Sequence, residues 1–212
     1  MLRNPIDMVH SFHSQLVFSG QEDEKDFARA WMLTPDRHKG IAIPRRCLAP
    51  ELLYYNEVGL LGSQLERVFK YFSRDQVHII FFEDFASNTA AEYGKVLRFL
   101  GLPDDGRKDF PKVNANRRHR SEFTHDLLYR KAPLLRKPVA AVKRLLGIKE
   151  FGILARLVEW EKVTEERTPL SAELRNELAD VYESDVRLLE TLTGRRLGDW
   201  IAPRPDLTSS VM

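Results

Sequence analysis

The sequence predicts an α/β fold that is mostly helical, with a small, reduced parallel sheet. Three observations predict it. Val77-His78-Ile79-Ile80-Phe81-Phe82 is a continuous apolar run rich in strand formers, which is how a strand buried on both faces reads. A helix signal follows that run after one short acidic turn, giving half of a β-α-β unit. Most of the remaining apolar residues recur at helical spacing.

The elements follow in order. If Leu2-Arg3 ends a strand, Asn4 is a suitable N-cap, Pro5 fits the first helical position, and Met8, Phe12 and Leu16 share one face. Residues 29–50 are punctuated by proline and glycine and read as a loop-rich excursion. A second helix is expected over 59–72, with Leu61, Leu65, Val68, Phe69 and Phe72 inward. After the strand, Thr89-Ala90-Ala91-Glu92 reads as a capping box. Its helix would bury Tyr93, Val96, Leu97 and Leu100 and close at Gly101 and Pro103. Residues 126–160 read as helices broken by Pro133, Pro138 and Gly147. The last long helix begins near Ser171, uses Leu174, Leu178, Val181, Leu189 and Leu192, and stops at Gly194. Residues 1–202 read as one domain and 203–212 as a frayed, disordered tail.

Composition narrows the function. The 212 residues suit one domain, and 43% hydrophobic content supports a core of ordinary size. Charged residues make up 30% of the chain but balance to a formal +2, which argues against a polyanion-coating protein. With Cys47 as the single cysteine, no intrachain disulfide can form, and a reducing cytosol suits the chain. The first residues lack a signal peptide's apolar run, and no apolar stretch is long enough to cross a bilayer. A soluble, cytoplasmic protein with no membrane partner is expected.

The first eleven residues carry the sharpest chemical signal. A helix amino terminus beside Arg3 is a ready anion site. Asp7, Ser11 and Ser14 lie on one stripe of that helix, so the Ser11 hydroxyl can face the group that Arg3 reaches. Guanidinium, hydroxyl and backbone amides together suit a phosphate monoester. From spacing alone, an ordinary capped helix with a solvated arginine is the more economical reading.

Leu2-Arg3-Asn4-Pro5-Ile6-Asp7-Met8-Val9-His10-Ser11 closely resembles the 3′-phosphate-binding motif of the sulfotransferase family. There an arginine and a serine eight residues later hold the 3′-phosphate of the donor, 3′-phosphoadenosine 5′-phosphosulfate (PAPS). Arg3 and Ser11 stand at those positions. The segments 64–72, 77–85 and 96–102 resemble the family's helix, strand and helix, and 170–178 with 188–200 resemble its closing helix and terminal tryptophan. The resemblance is strongest to bacterial members. It implies a fold like that of P-loop nucleotide-binding proteins and transfer of a sulfuryl group from PAPS, without a metal. The acceptor would be a hydroxyl or amine on a small molecule or carbohydrate.

One departure stands out. The chain has no Gly-x-x-x-x-Gly-Lys-[Ser/Thr] element, and His38-Lys39-Gly40-Ile41 lacks both the strand before it and the hydroxyl after it. The resemblance therefore implies an amino-terminally truncated domain, lacking the loop for the 5′-phosphosulfate, and no catalytic residue can be named. Val113 to Arg120 is the densest basic cluster. It reads either as a solvated loop or, by resemblance, as a loop closing over the donor, with Arg117 and Arg118 reaching its phosphates.

Other signals have plainer readings. Arg130, Lys131, Arg136, Lys137, Lys143 and Arg144 read best as solvated helix faces. Without interleaved aromatics or a recognition motif, nucleic acid is not the expected partner. The rival from another class is a non-catalytic helical module binding nucleic acid or another polyanion through 117–144. Glu83-Asp84 could polarise an acceptor hydroxyl, but capping of the following turn is favoured. His10 and His13 share a helix with no third ligand at metal-binding spacing. Acceptor identity and oligomeric state have no readable code.

Overall fold

The computed structural model describes residues 1–111, 117–119, 162–164 and 168–203, with 117–119 and 162–164 described as backbone. It divides into two compact units, Met1–Lys112 with Pro169–Met212, and Val113–Thr168. In the second unit β1 (Arg117–His119) pairs antiparallel with β2 (Lys162–Thr164), Arg118 opposite Val163. The expected broken helices over 126–160 and the tail from 204 lie outside the described residues.

The first unit is helical. It comprises α1 (Pro5–Ser19), α2 (Phe27–Met32), α3 (Thr34–Arg37), α4 (Tyr55–Val58), α5 (Leu61–Phe69), α6 (Phe82–Ser87), α7 (Thr89–Phe99) and α8 (Ala172–Thr193). Short 3₁₀ turns lie at Pro50–Leu53, Arg74–Gln76 and Gly198–Trp200. Local chemistry sets the ends of the long helices. The Asn4 side chain accepts the Ile6 N–H at the start of α1, and Ser171 accepts the Leu174 N–H at the start of α8. Gly20 and Gly194 close these helices with φ of 71°, a conformation glycine adopts without strain.

Several expectations are corrected. The apolar run Val77–Phe82 forms no strand ladder. It is extended and makes one parallel bridge, Leu2 to Phe81, through Leu2 N–H to the Ile80 carbonyl and Phe82 N–H to the Leu2 carbonyl, each 2.7 Å. On the other side α6 already takes up Phe82. The cap of α7 is Asn88, whose side chain accepts the Ala91 N–H, while the Thr89 hydroxyl donates back to the Phe85 carbonyl. The excursion at 29–50 is more ordered than its glycines and prolines suggest, with two short helices in its first part. The inward faces are also narrower than the spacing predicts: Val68, Phe72, Leu100 and Val181 are exposed.

The core is built where α1, α5 and α8 meet, around Ile6, Val9, Leu16, Leu65, Leu178, Tyr182, Val186 and Leu189. α5 packs so closely on α8 that a Cβ added at Gly62 would lie 2.3 Å from the Asp185 carbonyl oxygen. The buried Asp185 carboxylate replaces a local cap for α5. It accepts the Gly62 N–H at 2.6 Å, the Ser63 N–H at 2.8 Å and the Ser63 hydroxyl at 2.5 Å. A negative charge there also suits the positive end of the helix dipole.

A second buried polar centre organises the excursion. Glu22 and Arg37 are paired at 2.8 Å with both side chains fully enclosed. The Tyr55 hydroxyl donates to Glu22 Oε2 at 2.8 Å, and the Asp23 and Glu24 amides donate to Oε1 at 3.0 Å. Burial and the Glu22 charge push the Tyr55 hydroxyl far above its ordinary range. Buried His13 makes a 2.8 Å hydrogen bond with the Glu24 carbonyl, and burial lowers its pKa below the ordinary 6.5. The end of α1, α3 and α4 are thereby fixed to one another.

Candidate functional site

The turn before α1 places Arg3 directly after the Leu2–Phe81 bridge. Its guanidinium lies over the Phe82 ring, 4.5 Å from the centroid. A cation stacked on an aromatic face keeps its in-plane N–H groups free to donate. Among the described residues Arg3 has no carboxylate partner. Half-buried, it is held by the ring and by its position in the turn.

Ser11 lies about 9 Å along the axis of α1 from Pro5, at a rise of 1.5 Å per residue. At about 100° per residue it falls opposite the face formed by the buried Ile6, Val9, His13 and Leu16. Its hydroxyl therefore points away from the core. Ser14, on the same stripe, is committed to the His10 carbonyl at 3.1 Å. Asp7, which would repel an anion, is drawn to Arg175 of α8 at 3.1 Å.

The helix terminus contributes less than the sequence suggests. Pro5 has no N–H, the Ile6 amide goes to the Asn4 side chain, and the Met8 amide goes to the Asn4 carbonyl. Only the Asp7 amide of the first turn is left without a bond among the described residues. Among the described residues, the donors left open here are the Arg3 guanidinium, the Ser11 hydroxyl and the Asp7 amide.

The other site expectations fare differently. Arg117 and Arg118 occupy β1 in the second unit, and their side chains lie outside the described residues, as does the basic stretch to 144. Asp84 does not cap a turn with its carboxylate. It forms a bidentate ion pair with Arg195, Asp84 Oδ1 accepting from Nη2 at 2.9 Å, and this holds its carboxyl below the usual carboxylate range. Among the described residues no group of three His, Cys, Asp or Glu side chains could hold a metal ion, and no helix is long and apolar enough to cross a membrane.

A separate cleft of about 440 Å³ opens beside Trp31, Met32, Pro35, His38, Asn56 and Glu177. Glu177 accepts the Trp31 indole N–H at 2.7 Å. Among the described residues no lysine or arginine lines this cleft.

Comparison with known proteins agrees with the resemblance in the motif. The sulfotransferase domain family matches residues 1–123. A sulfotransferase from Alicyclobacillus acidocaldarius, known from its crystal structure, superposes with a TM-score of 0.57 at 24% identity. The match covers 95% of this chain but 56% of that one, so the chain spans little more than half the length of its structural relative. No curated protein matches the sequence significantly. With more than half of its residues matched, the Arg3–Ser11 segment among them, the chain belongs to the sulfotransferase domain family.

Proposed function

We propose that this chain supplies the 3′-phosphate-gripping half of a PAPS-dependent sulfotransferase site, with Arg3 and Ser11 as the phosphate ligands. The observation that carries the reading is an arginine without an acidic partner among the described residues, stacked on Phe82, together with a serine turned away from the core on the helix that follows. A dianionic phosphate monoester would supply the missing counter-charge, and the open Asp7 amide can add a third donor. Residues 1–202 are read as one sulfotransferase domain. The first unit is built from both ends of the chain, so the second is an insertion in it rather than a tandem neighbour. The reaction served is transfer of a sulfuryl group to a hydroxyl or amine of a small molecule or carbohydrate. The residues at hand bind and orient the donor's nucleotide end; PAPS itself supplies the reactive group.

The two ligands should not contribute equally. Losing a charge-assisted bond costs about 1.5–3 kcal/mol, and losing a neutral one about 0.5–1.5 kcal/mol. Arg3→Ala should therefore weaken binding of adenosine 3′,5′-bisphosphate by roughly ten- to a hundredfold, and Ser11→Ala by less than about tenfold. Calorimetric titration of the two variants checks the ranking. Affinity unchanged in both would remove these residues from the site.

A further inference from the structure

Asn4 has a second task, and it points to a residue that acts through Arg3. Its side chain is 6% exposed and uses both ends. Oδ1 accepts the Ile6 N–H at 2.9 Å and so caps α1. Nδ2 donates to the Trp200 carbonyl at 3.0 Å, 196 residues away in sequence. Capping alone needs only the oxygen, and serine or aspartate would serve as well.

The segment that Asn4 reaches is fastened from several sides. Its Leu197 amide donates to Glu190 of α8 at 2.5 Å, and Trp200 is buried with its ring 6.2 Å from that of Phe81. Arg195, at its start, lies over the Phe81 ring, 4.2 Å from the centroid, while paired with Asp84. Phe81 in turn is the bridge partner of Leu2, and Phe82 is the surface on which Arg3 lies. Both chain neighbours of Arg3 are therefore tied to the segment 195–200, Asn4 directly and Leu2 through Phe81, the residue before the ring on which Arg3 lies.

We propose that Asn4 is a positioning residue for the anion site, holding Arg3 in register with Ser11 by tying the turn before α1 to the Trp200 carbonyl. The Asp84–Arg195 pair fixes the other side of the same frame. This inference rests on the reading of Arg3 as a phosphate ligand. Neither Asn4 nor Arg195 needs to touch the ligand. A frame that fixes the guanidinium before binding spares the ordering of a flexible side chain at that moment.

Asn4→Ser tests it. Serine caps as well as asparagine but is too short to reach the Trp200 carbonyl, and it leaves the charge unchanged. The readout is the ratio of affinities for adenosine 3′,5′-bisphosphate and adenosine 5′-phosphate, which differ only in the 3′-phosphate. A merely structural role would leave this ratio alone. The ratio should fall about three- to tenfold in Asn4→Ser, the effect of one hydrogen bond. Adding Asn4→Ser to Arg3→Ala should cost almost nothing more, because the two act as one unit. Arg195→Lys, which keeps the charge but loses the bidentate pair, should lower the ratio in the same direction and guards against a folding defect peculiar to Asn4. A ratio that collapses in Arg3→Ala but holds in Asn4→Ser and Arg195→Lys would overturn the positioning role alone. A ratio indifferent to Arg3→Ala would overturn the phosphate-ligand reading and this inference with it.

Discussion

Glu22→Gln should destabilise the protein by about 3–5 kcal/mol, the range for breaking a buried ion pair on one side only. The substitution preserves shape, yet it leaves the Arg37 guanidinium enclosed without a counter-charge. Arg37 has little else to rely on. One bond reaches the Ala30 carbonyl at 3.4 Å, and its Nε has no partner among the described residues. Water cannot reach either side chain to screen the loss. Arg37→Met should be similarly damaging, since it strands the Glu22 carboxylate with only Tyr55 and two backbone amides as donors. The double variant should lose clearly less than the sum, because neither charge is then left alone. Urea denaturation of the four proteins checks this. Single variants within about 0.5 kcal/mol of the parent would show that the excursion does not depend on the pair.

A large effect is also expected on turnover. The sequence holds no glycine-lysine loop of the kind that cradles a phosphosulfate. Among the described residues, the groups assigned to the donor reach only its 3′-phosphate end. Removing a single preorganised donor from an oxyanion-type site typically costs about a hundred- to a thousandfold in rate. The 212-residue chain should therefore transfer labelled sulfuryl from PAPS to hydroxyl and amine acceptors at least about a hundredfold more slowly than a chimera carrying a grafted amino-terminal strand and glycine-lysine loop. Comparable turnover by the two would mean that the loop is dispensable and that the half-site reading is wrong.

What the sequence disclosed follows from how local each signal is. The cap at Asn4, the helix from Pro5, the start of α8 at Ser171 and its stop at Gly194 are written in neighbouring residues, and all stand in the structure. Arg3 and Ser11 are singled out by a short motif, and their role as phosphate ligands is what the binding experiments test. The Val77–Phe82 run signals a strand because apolar composition marks burial, whereas a ladder needs a paired partner, and the structure gives one bridge, to Leu2. The deeper failures are long-range. Nothing near Glu22 or Arg37 distinguishes them from solvated surface charges, and Asp185 looks like one more acid on a helix. Each is defined by a partner 15 or more residues away: Arg37 for Glu22, and Gly62 and Ser63 for Asp185. The Asn4–Trp200 and Asp84–Arg195 contacts are hidden for the same reason. No spacing rule links residue 4 to residue 200.

The most direct test of the central claim is the affinity of the unaltered chain for adenosine 3′,5′-bisphosphate against adenosine 5′-phosphate, measured by calorimetry at two salt concentrations. The two ligands share base, ribose and 5′-phosphate, so any difference belongs to the group assigned to Arg3 and Ser11. A charge-assisted grip predicts a preference for the bisphosphate of roughly tenfold or more, shrinking as salt screens the partly exposed site. Equal affinities for the two nucleotides would contradict it.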